Sequence, residues 1–385
     1  SFENEDVARL LNEHFVSIKV DREERPDVDQ IYMSVCQALT GQGGWPLSVF
    51  LTPKGSPFFA GTYFPKTTRM GLIGFSELLN QINHMWKTDR ERLLTAGDQI
   101  TEHIQKPIPG AVSDKTPGVE TLEQARQQLS QQFDARWGGF GKAPKFPSPH
   151  QLTFLLRYHL RRQDADDLQM VEKTLSAMRQ GGIFDHVGYG FHRYSVDVKW
   201  FAPHFEKMLY DQALLTMAYT EAFQVTGTPA YSRVAREVFT YVLRDMTAPE
   251  GGFYSAEDAD SEGKEGLFYL WTPQEVEQVL GKEQADLFCG FYNITVEGNF
   301  EEGRSIPHTS MSVSEFARGR KVDEAELEAL LQAFRKQLFM EREKRIHPLK
   351  DDKILTSWNG LMLAALFKGY RALSEKTYLD AAQTA

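Results

Sequence analysis

Three segments in which paired glycines lead into an aromatic residue, Trp137-Gly-Gly-Phe140, Gly181-Gly-Ile-Phe184 and Gly251-Gly-Phe-Tyr254, recur between runs of helical periodicity. This recurrence limits the possible folds more than any other feature. Glycine ends helices and turns the chain sharply, and apolar residues at i, i+3, i+4 and i+7 between such turns read as amphipathic helices. The pattern is present at residues 122–133, 151–161, 168–179, 204–225, 230–246, 275–280, 325–345 and 361–373. Helical hairpins whose Gly-rich loops gather at one end imply an α/α toroid with a loop-lined pocket. The competing expectation is an irregular helical domain that uses glycine only for C-caps.

The first 115 residues have a different character. Residues 2–15 read as a short helix, and 15–20 alternate apolar and polar side chains as a strand does. Asp27 stands where it would cap the helix carrying Ile31, Val35 and Leu39. After Gly41-Gln-Gly-Gly-Trp-Pro46 follow an apolar strand at 47–52, the turn Pro53-Lys-Gly55 and a returning strand at 56–61, then a helix over 75–104 broken near Lys87. This is the element order of the second half of a thioredoxin fold, with Pro46 at the position of the cis-proline that faces the active site. Pro107, Pro109, Gly110, Pro117 and Gly118 mark a linker, which divides the chain into domains 1–115 and 116–385.

With 43 Lys and Arg against 53 Asp and Glu, the net charge is −10 and no long basic run exists, so nucleic acid is not an expected partner. No run of about 18 apolar residues and no signal peptide is visible, so no membrane association and a cytoplasmic location are expected. The start at Ser1 without Met and the end inside a helical pattern read as a piece of something longer. Cys36 and Cys289 are the two cysteines, far apart and without a Cys-x-x-Cys, which argues against a disulfide framework, a zinc site or a redox pair. Asp258-x-Asp260-x-Glu262-Gly263 resembles the start of a calcium loop, but its twelfth position is Tyr269 rather than a bidentate Glu. Neither a metal nor a cofactor is expected.

Chemistry-bearing residues concentrate between Gly181 and Leu214. A helix expected from Pro203 onward places His204 at its N-terminus, where the dipole favours a neutral, proton-accepting imidazole. It also sets His204, Lys207 and Asp211 on one polar stripe. His186, His192 and His204 are candidate bases for moving a proton beside a carbonyl. Asp185, Glu206 and Asp211, with Asp258 and Asp260, supply the paired carboxylates that glycosidic hydrolysis requires. Tyr189, Phe191, Trp200 and Trp358 offer faces for a sugar ring, and Asn359 adjoins Trp358 at a helix start that Ser357 would cap. The expected catalytic set is His186, His204, Asp211, Glu206 and Asp185. The expected substrate-binding set is Tyr189, His192, Trp200, Asp258, Asp260, Trp358 and Asn359.

The segments 1–27, Gly43-Gly-Trp-Pro-Leu-Ser-Val-Phe-Leu-Thr-Pro53, Pro57-Phe-Phe-Ala-Gly-Thr-Tyr-Phe-Pro65 and Asp352-Lys-Ile-Leu-Thr-Ser-Trp-Asn-Gly360 resemble the spermatogenesis-associated protein 20 family, which includes bacterial YyaL-type members. The resemblance covers essentially the whole chain. It implies a multidomain α/β plus all-α architecture, a truncated thioredoxin-like domain followed by a partial (α/α)6 toroid of the six-hairpin glycosidase type. Any dithiol segment of the family falls before Ser1, and later hairpins fall beyond Ala385. The function expected is a carbohydrate-binding or sugar-converting toroid, epimerase- or isomerase-like or glycosidase-like, acting on a small molecule. The alternatives are a thiol-redox protein whose toroid recognises a protein partner, and a non-catalytic scaffold.

Overall fold

The computed structural model of the chain describes residues 4–69, 71–105, 116 and 118–385. Apart from Thr116 and Gly118, the expected linker lies outside the described residues. The chain forms two compact units, Ser1–Thr116 and Pro117–Ala385.

The first unit runs α1 (Glu5–His14), α2 (Pro26–Thr40), β1 (Ser48–Leu51), β2 (Pro57–Gly61), α3 (Phe75–Thr88) and α4 (Arg90–Gln105). Asn4 starts α1 by accepting the Val7 N–H, and Val7 is the one residue of that helix buried completely. The hairpin pairs Ser48 with Gly61 and Phe50 with Phe59, and its aromatics pack with Phe75, Leu78 and Leu79 of α3. Two expectations need correction. Residues 15–20 form no strand: Val16 and Ile18 are 90% and 77% exposed. A strand needs a neighbour for its N–H and C=O groups, and none runs beside this segment among the described residues, so its alternation has no sheet face to bury. Nor does Asp27 cap α2; Arg25 is the N-cap residue, without a side-chain capping bond, and Asp27 sits in the first turn, paired to Arg25 at 2.8 Å.

The second unit is built of helical hairpins with short ribbons between them. Its elements are α5 (Val119–Gln132), α6 (Pro149–Arg162), α7 (Ala165–Gln180), β3 (Tyr194–Ser195), β4 (Pro203–His204), β5 (Lys207–Met208), α8 (Leu209–Thr226), α9 (Pro229–Asp245), β6 (Ala256–Glu257), β7 (Asp260–Ser261), β8 (Lys264–Glu265), α10 (Pro273–Leu280), α11 (Lys282–Tyr292), α12 (Val313–Arg320), α13 (Glu324–Arg342), β9 (Lys350–Asp351), α14 (Thr356–Leu373) and α15 (Lys376–Thr384). Helices α6, α8 and α14 lie side by side as one row; α7, α9 and α15 pack on them from the next hairpin position. This arc of α/α hairpins is part of a toroid. Its innermost member, α8, is buried along most of its length, as a helix apolar on nearly every side must be. A second core joins α10 to α13 around Trp271, Phe288 and Leu327. No helix among the described residues is long and apolar enough to cross a membrane.

Each Gly-Gly-aromatic segment closes an antiparallel bridge: Phe133 to Phe140, Phe184 to Phe191 and Thr247 to Phe253. In the central segment the glycines serve close approach. A Cβ on Gly181 would stand 2.1 Å from the Trp200 carbonyl oxygen.

The helix expected from Pro203 begins instead at Leu209. Pro203 and His204 pair with Ser195 and Tyr194, while β5 joins β6 and β9 in a three-stranded sheet. Backbone bonds from Arg193 N to Glu206 O and from Val196 N to Ala202 O hold this segment extended, against the local helical pattern. In α14, Leu355 is the N-cap residue and Ser357 lies within the first turn.

Opposite effects are expected from one substitution made at two sites. Gly181→Ala should lower stability by about 1–3 kcal/mol through collision with backbone, whereas Gly360→Ala, on the exposed side of α14 with nothing within 4 Å, should raise it by about 0.5–1 kcal/mol. Urea unfolding midpoints of the two variants check both signs.

Candidate active site

Asp185 fixes the central loop. Its carboxylate takes the Lys207 ammonium at 2.8 Å and the Arg342 guanidinium at 2.9 Å, and Oδ1 also accepts the N–H groups of Val187 and Gly188. All three charged side chains are buried. Burial alone would raise the Asp185 pKa, but Arg342 and Lys207 outweigh it and hold it well below the usual carboxylate range. Lys207 gives a second hydrogen bond to Tyr189 O, and Gln212 of α8 clamps both backbone groups of Phe191. Asp185 is thus a buried ionic anchor rather than an acid or base facing substrate.

His186 and His192 are also held inside. The Nε2–H of His186 donates to Gly181 O, and its Nδ1 accepts from Arg179, both at 3.0 Å. The Nδ1–H of His192 donates to Phe205 O at 2.8 Å, and its ring stands edge-on to Phe205 and Tyr269. Burial pushes each imidazole down to about 3, so both are neutral and too weakly basic to abstract a proton. Trp200 is completely buried and donates to Trp137 O; Tyr189 donates to Gln332 and lies under the Arg335 guanidinium. Asn359 binds both backbone groups of Phe253. Asp258 and Asp260 are exposed, Asp258 accepting the Ala259 N–H. These residues build the loops; the expected roles in substrate contact do not follow from their places.

A different group does assemble, on the other side of the ribbon. In β3, β4 and the segment leading to α8, His204 Nε2 lies 3.6 Å from Glu206 and its Nδ1 lies 2.6 Å from Glu265. Hydrogen bonding to Glu206, and then to Glu265, overcomes partial burial and raises the imidazole above its ordinary 6.5. The pull is toward the protonated imidazole, opposite to the base-like state expected at a helix start, because the helix does not begin there. Glu206 also binds Arg193 at 2.6 Å, and its pKa is lowered: burial works against ionisation, but His204 and Arg193 prevail.

Asp211, in the first turn of α8, is buried, and its Oδ2 has no partner among the described residues. Burial pushes this carboxyl well above the usual range, Arg193 opposing and Glu206 adding to the shift. Beside it the Tyr210 ring meets Trp358 edge-on, with centroids 4.8 Å apart. Phe146, half exposed, packs on Tyr194 at 4.9 Å, and Tyr194 stacks on His204 at 5.1 Å. The cluster thus holds the Glu206 and Glu265 carboxylates, the buried Asp211 carboxyl, Arg193, His204 and an aromatic ladder reaching solvent. Arg193, Tyr194, Phe146 and Glu265 were missing from the expected set. Glu265 was findable in the acidic 251–265 loop, whereas Arg193 depends on a ribbon pairing that no local pattern announces. Among the described residues no group of three or more His, Cys, Asp or Glu is placed to hold a metal ion.

In the first unit the Trp45–Pro46 peptide bond is cis. Trp45 donates to Asp29 and lies under the Arg22 guanidinium. Cys36 is buried within α2, and burial pushes the Cys289 thiol, in the other unit, up to about 12.

Residues 1–105 match the family model Thioredox_DsbH, described as "Protein of unknown function, DUF255". Over 94% of its length the chain is 42% identical to human Spermatogenesis-associated protein 20, and over its whole length 38% identical to an uncharacterized protein of Caenorhabditis elegans. The resemblance read from the sequence is borne out. The chain spans about half the length of these curated relatives, 50% of the human protein and 56% of the nematode one. Among solved structures, it is similar to cellobiose 2-epimerase from Bacillus thermoamylovorans B4167 at 13% identity and a TM-score of 0.32, over 69% of this chain and 86% of that one. A family 76 glycoside hydrolase from Bacteroides thetaiotaomicron VPI-5482 matches at 12% identity and a TM-score of 0.33, over 93% and 84% of the respective chains.

Two measurements bear on these electrostatics. Asp185→Asn leaves Lys207 and Arg342 without their buried counter-charge and should destabilise the fold by about 3–5 kcal/mol in urea unfolding. His204 behaves differently. Its folded pKa is raised, so its contribution is complete below about 6.5 and is lost as pH rises through the folded value. His204→Gln should therefore cost up to about 1 kcal/mol near pH 6 and progressively less toward pH 9.

Proposed function

We propose that the helical unit binds a sugar at the Phe146–Tyr194 ladder and acts on a glycosidic bond through two carboxyl groups. Asp211 donates the proton to the departing alcohol, Glu206 serves as the ionised partner, and water then adds to the anomeric carbon, its proton restoring the Asp211 carboxyl. The observation that carries this reading is the contrast between two carboxyls of one cluster that reaches solvent: Asp211 is buried with Oδ2 unpartnered among the described residues, which favours its protonated form, while Glu206 is held as an anion by Arg193 and His204. Two carboxyls whose environments push their pKa values apart are the arrangement needed for acid-assisted departure of an alcohol and stabilisation of the positive charge left on the sugar. Aromatic faces suit the C–H side of a pyranose, while Arg193 and the carboxyls suit its hydroxyls.

The histidine-driven epimerisation expected from the sequence has less support. It needs a base poised near neutrality, whereas His186 and His192 are neutral, weakly basic and buried, and Glu206 and Glu265 draw His204 toward its protonated form.

Proton NMR of the chain incubated with a panel of disaccharides and aldoses in heavy water tests the assignment. New reducing-end signals are expected from at least one disaccharide, with the rate falling about 10²-fold or more in Asp211→Asn and Glu206→Gln. Deuterium entering beside the anomeric carbon without cleavage would replace this mechanism by proton abstraction. No turnover and no line broadening of any sugar would remove the carbohydrate reading in favour of a thiol-redox or scaffold role.

A further inference from the structure

The acid pair is flanked by aromatic groups on two sides, and the two sides belong to different helices. Helix α8 lies between α6 and α14. Phe146 stands just ahead of α6, Tyr210 and Asp211 open α8, and Trp358 lies in the first turn of α14. The contacts run in one line: Phe146 on Tyr194 at 4.9 Å, Tyr194 on His204 at 5.1 Å, His204 to Glu206 at 3.6 Å, Glu206 to Arg193 at 2.6 Å, Arg193 to the Tyr210 hydroxyl, and Tyr210 to Trp358 at 4.8 Å.

Both ends of this line are fixed in place. Lys145, beside Phe146, exchanges both backbone hydrogen bonds with Ser195, and its buried ammonium binds Asp134, Gly138 O and Val198 O. The Phe146 ring is thereby held at the surface, 49% exposed. At the other end Asn359 clamps both backbone groups of Phe253, and the Ser255 N–H donates to Asp351 O, which fixes the start of α14 and with it Trp358. Tyr210 and Trp358 are half-buried, while Thr356 and Ser357 beside them are exposed. Aromatic rings bordered by short hydroxyl side chains offer an apolar face with polar groups at its edge, the combination that a sugar ring matches.

Neighbouring helices sit about 8–10 Å apart, axis to axis, and α8 separates the two platforms, so one sugar ring cannot stack on both. The acids decide which ring goes where. Glu206 touches His204, on which Tyr194 stacks, whereas Asp211 follows Tyr210, whose ring meets Trp358. A proton donor must stand beside the departing oxygen, and the carboxylate beside the anomeric carbon. The Phe146–Tyr194 platform then serves the ring that carries the anomeric carbon, and the Tyr210–Trp358 platform serves the departing alcohol. On the hydrolytic reading of this site, from which the inference starts, we propose that the departing alcohol is itself a sugar stacked on Trp358, so that the substrate is a disaccharide or longer chain rather than the glycoside of a small alcohol.

Saturation-transfer NMR reports which ring of a ligand touches the protein, with no need of turnover. The probes are maltose, cellobiose, lactose and mannobiose, each compared with the methyl glycoside of its non-reducing sugar. At least one disaccharide should bind about tenfold more tightly than its methyl glycoside, with saturation reaching both rings. Trp358→Ala should bring that ratio close to one and remove saturation from the reducing-end ring, whereas Trp358→Phe, which keeps an aromatic ring, should retain most of both. Phe146→Ala should instead reduce saturation of the non-reducing ring. Equal affinity for disaccharide and methyl glycoside, saturation confined to the non-reducing ring, or a ratio unmoved by Trp358→Ala would overturn the proposal; with cleavage still observed, the two-carboxyl mechanism would stand without it. Saturation of both rings with no cleavage would support the two platforms and count against the hydrolytic chemistry alone. No binding of any probe would overturn both. The ring map of the wild-type chain decides the matter even where a variant folds poorly.

Discussion

The helical unit depends on one buried carboxylate. Asp185 brings together residues from three separate parts of the chain: the Gly-rich loop, the β5 ribbon through Lys207, and the end of α13 through Arg342. Desolvating three charges is tolerable only when their geometry and hydrogen bonds are nearly complete, and here two N–H groups and the Tyr189 carbonyl supply the remaining partners. That requirement determines the path of residues 181–208. It also explains the crowding of glycines there: at Gly188 a Cβ would meet the Arg342 guanidinium at 1.8 Å.

The anchored ribbon separates two environments. On one side, Arg193, His204, Glu206 and Asp211 share a partly solvated cluster in which every ionisation state is set by a neighbour or by burial. On the other, Lys207, Arg342 and Tyr269 border a cavity of about 180 Å³. The three histidines of this region show how little residue type decides. His186 and His192, sealed among aromatics, stay neutral, while His204 between two carboxylates is pulled toward its protonated form.

Much of this architecture was legible in local pattern. The β1–β2 hairpin, the break between α3 and α4 and the long helices of the second unit follow from apolar periodicity and from Gly and Pro punctuation. Failures arose where distant partners override that pattern. Residues 15–20 alternate correctly but have no neighbouring strand, and Pro203 with the apolar residues after it suggests a helix where cross-strand bonds impose extension. The same limit applies to the site. Its acids lay within the stretch singled out, yet the role of Asp185 is decided by Arg342 from a distant helix, that of His186 by the burial that tertiary packing imposes, and that of His204 by Glu206 together with Glu265 from another ribbon. Helices α11 and α12 are short and were not anticipated; their faces are defined by packing against α10 and α13.

The separation in ionisation between Asp211 and Glu206 can be read directly, without any substrate. Carbon-13 NMR of the side-chain carboxyls in Asp- and Glu-labelled protein, followed as a function of pH and assigned by difference with Asp211→Asn and Glu206→Gln, reports each titration. Asp211 should remain protonated well above the ordinary carboxylate range of about 4, and Glu206 should ionise below it. Titration of both groups together near that ordinary value would contradict the acid and carboxylate roles assigned to them.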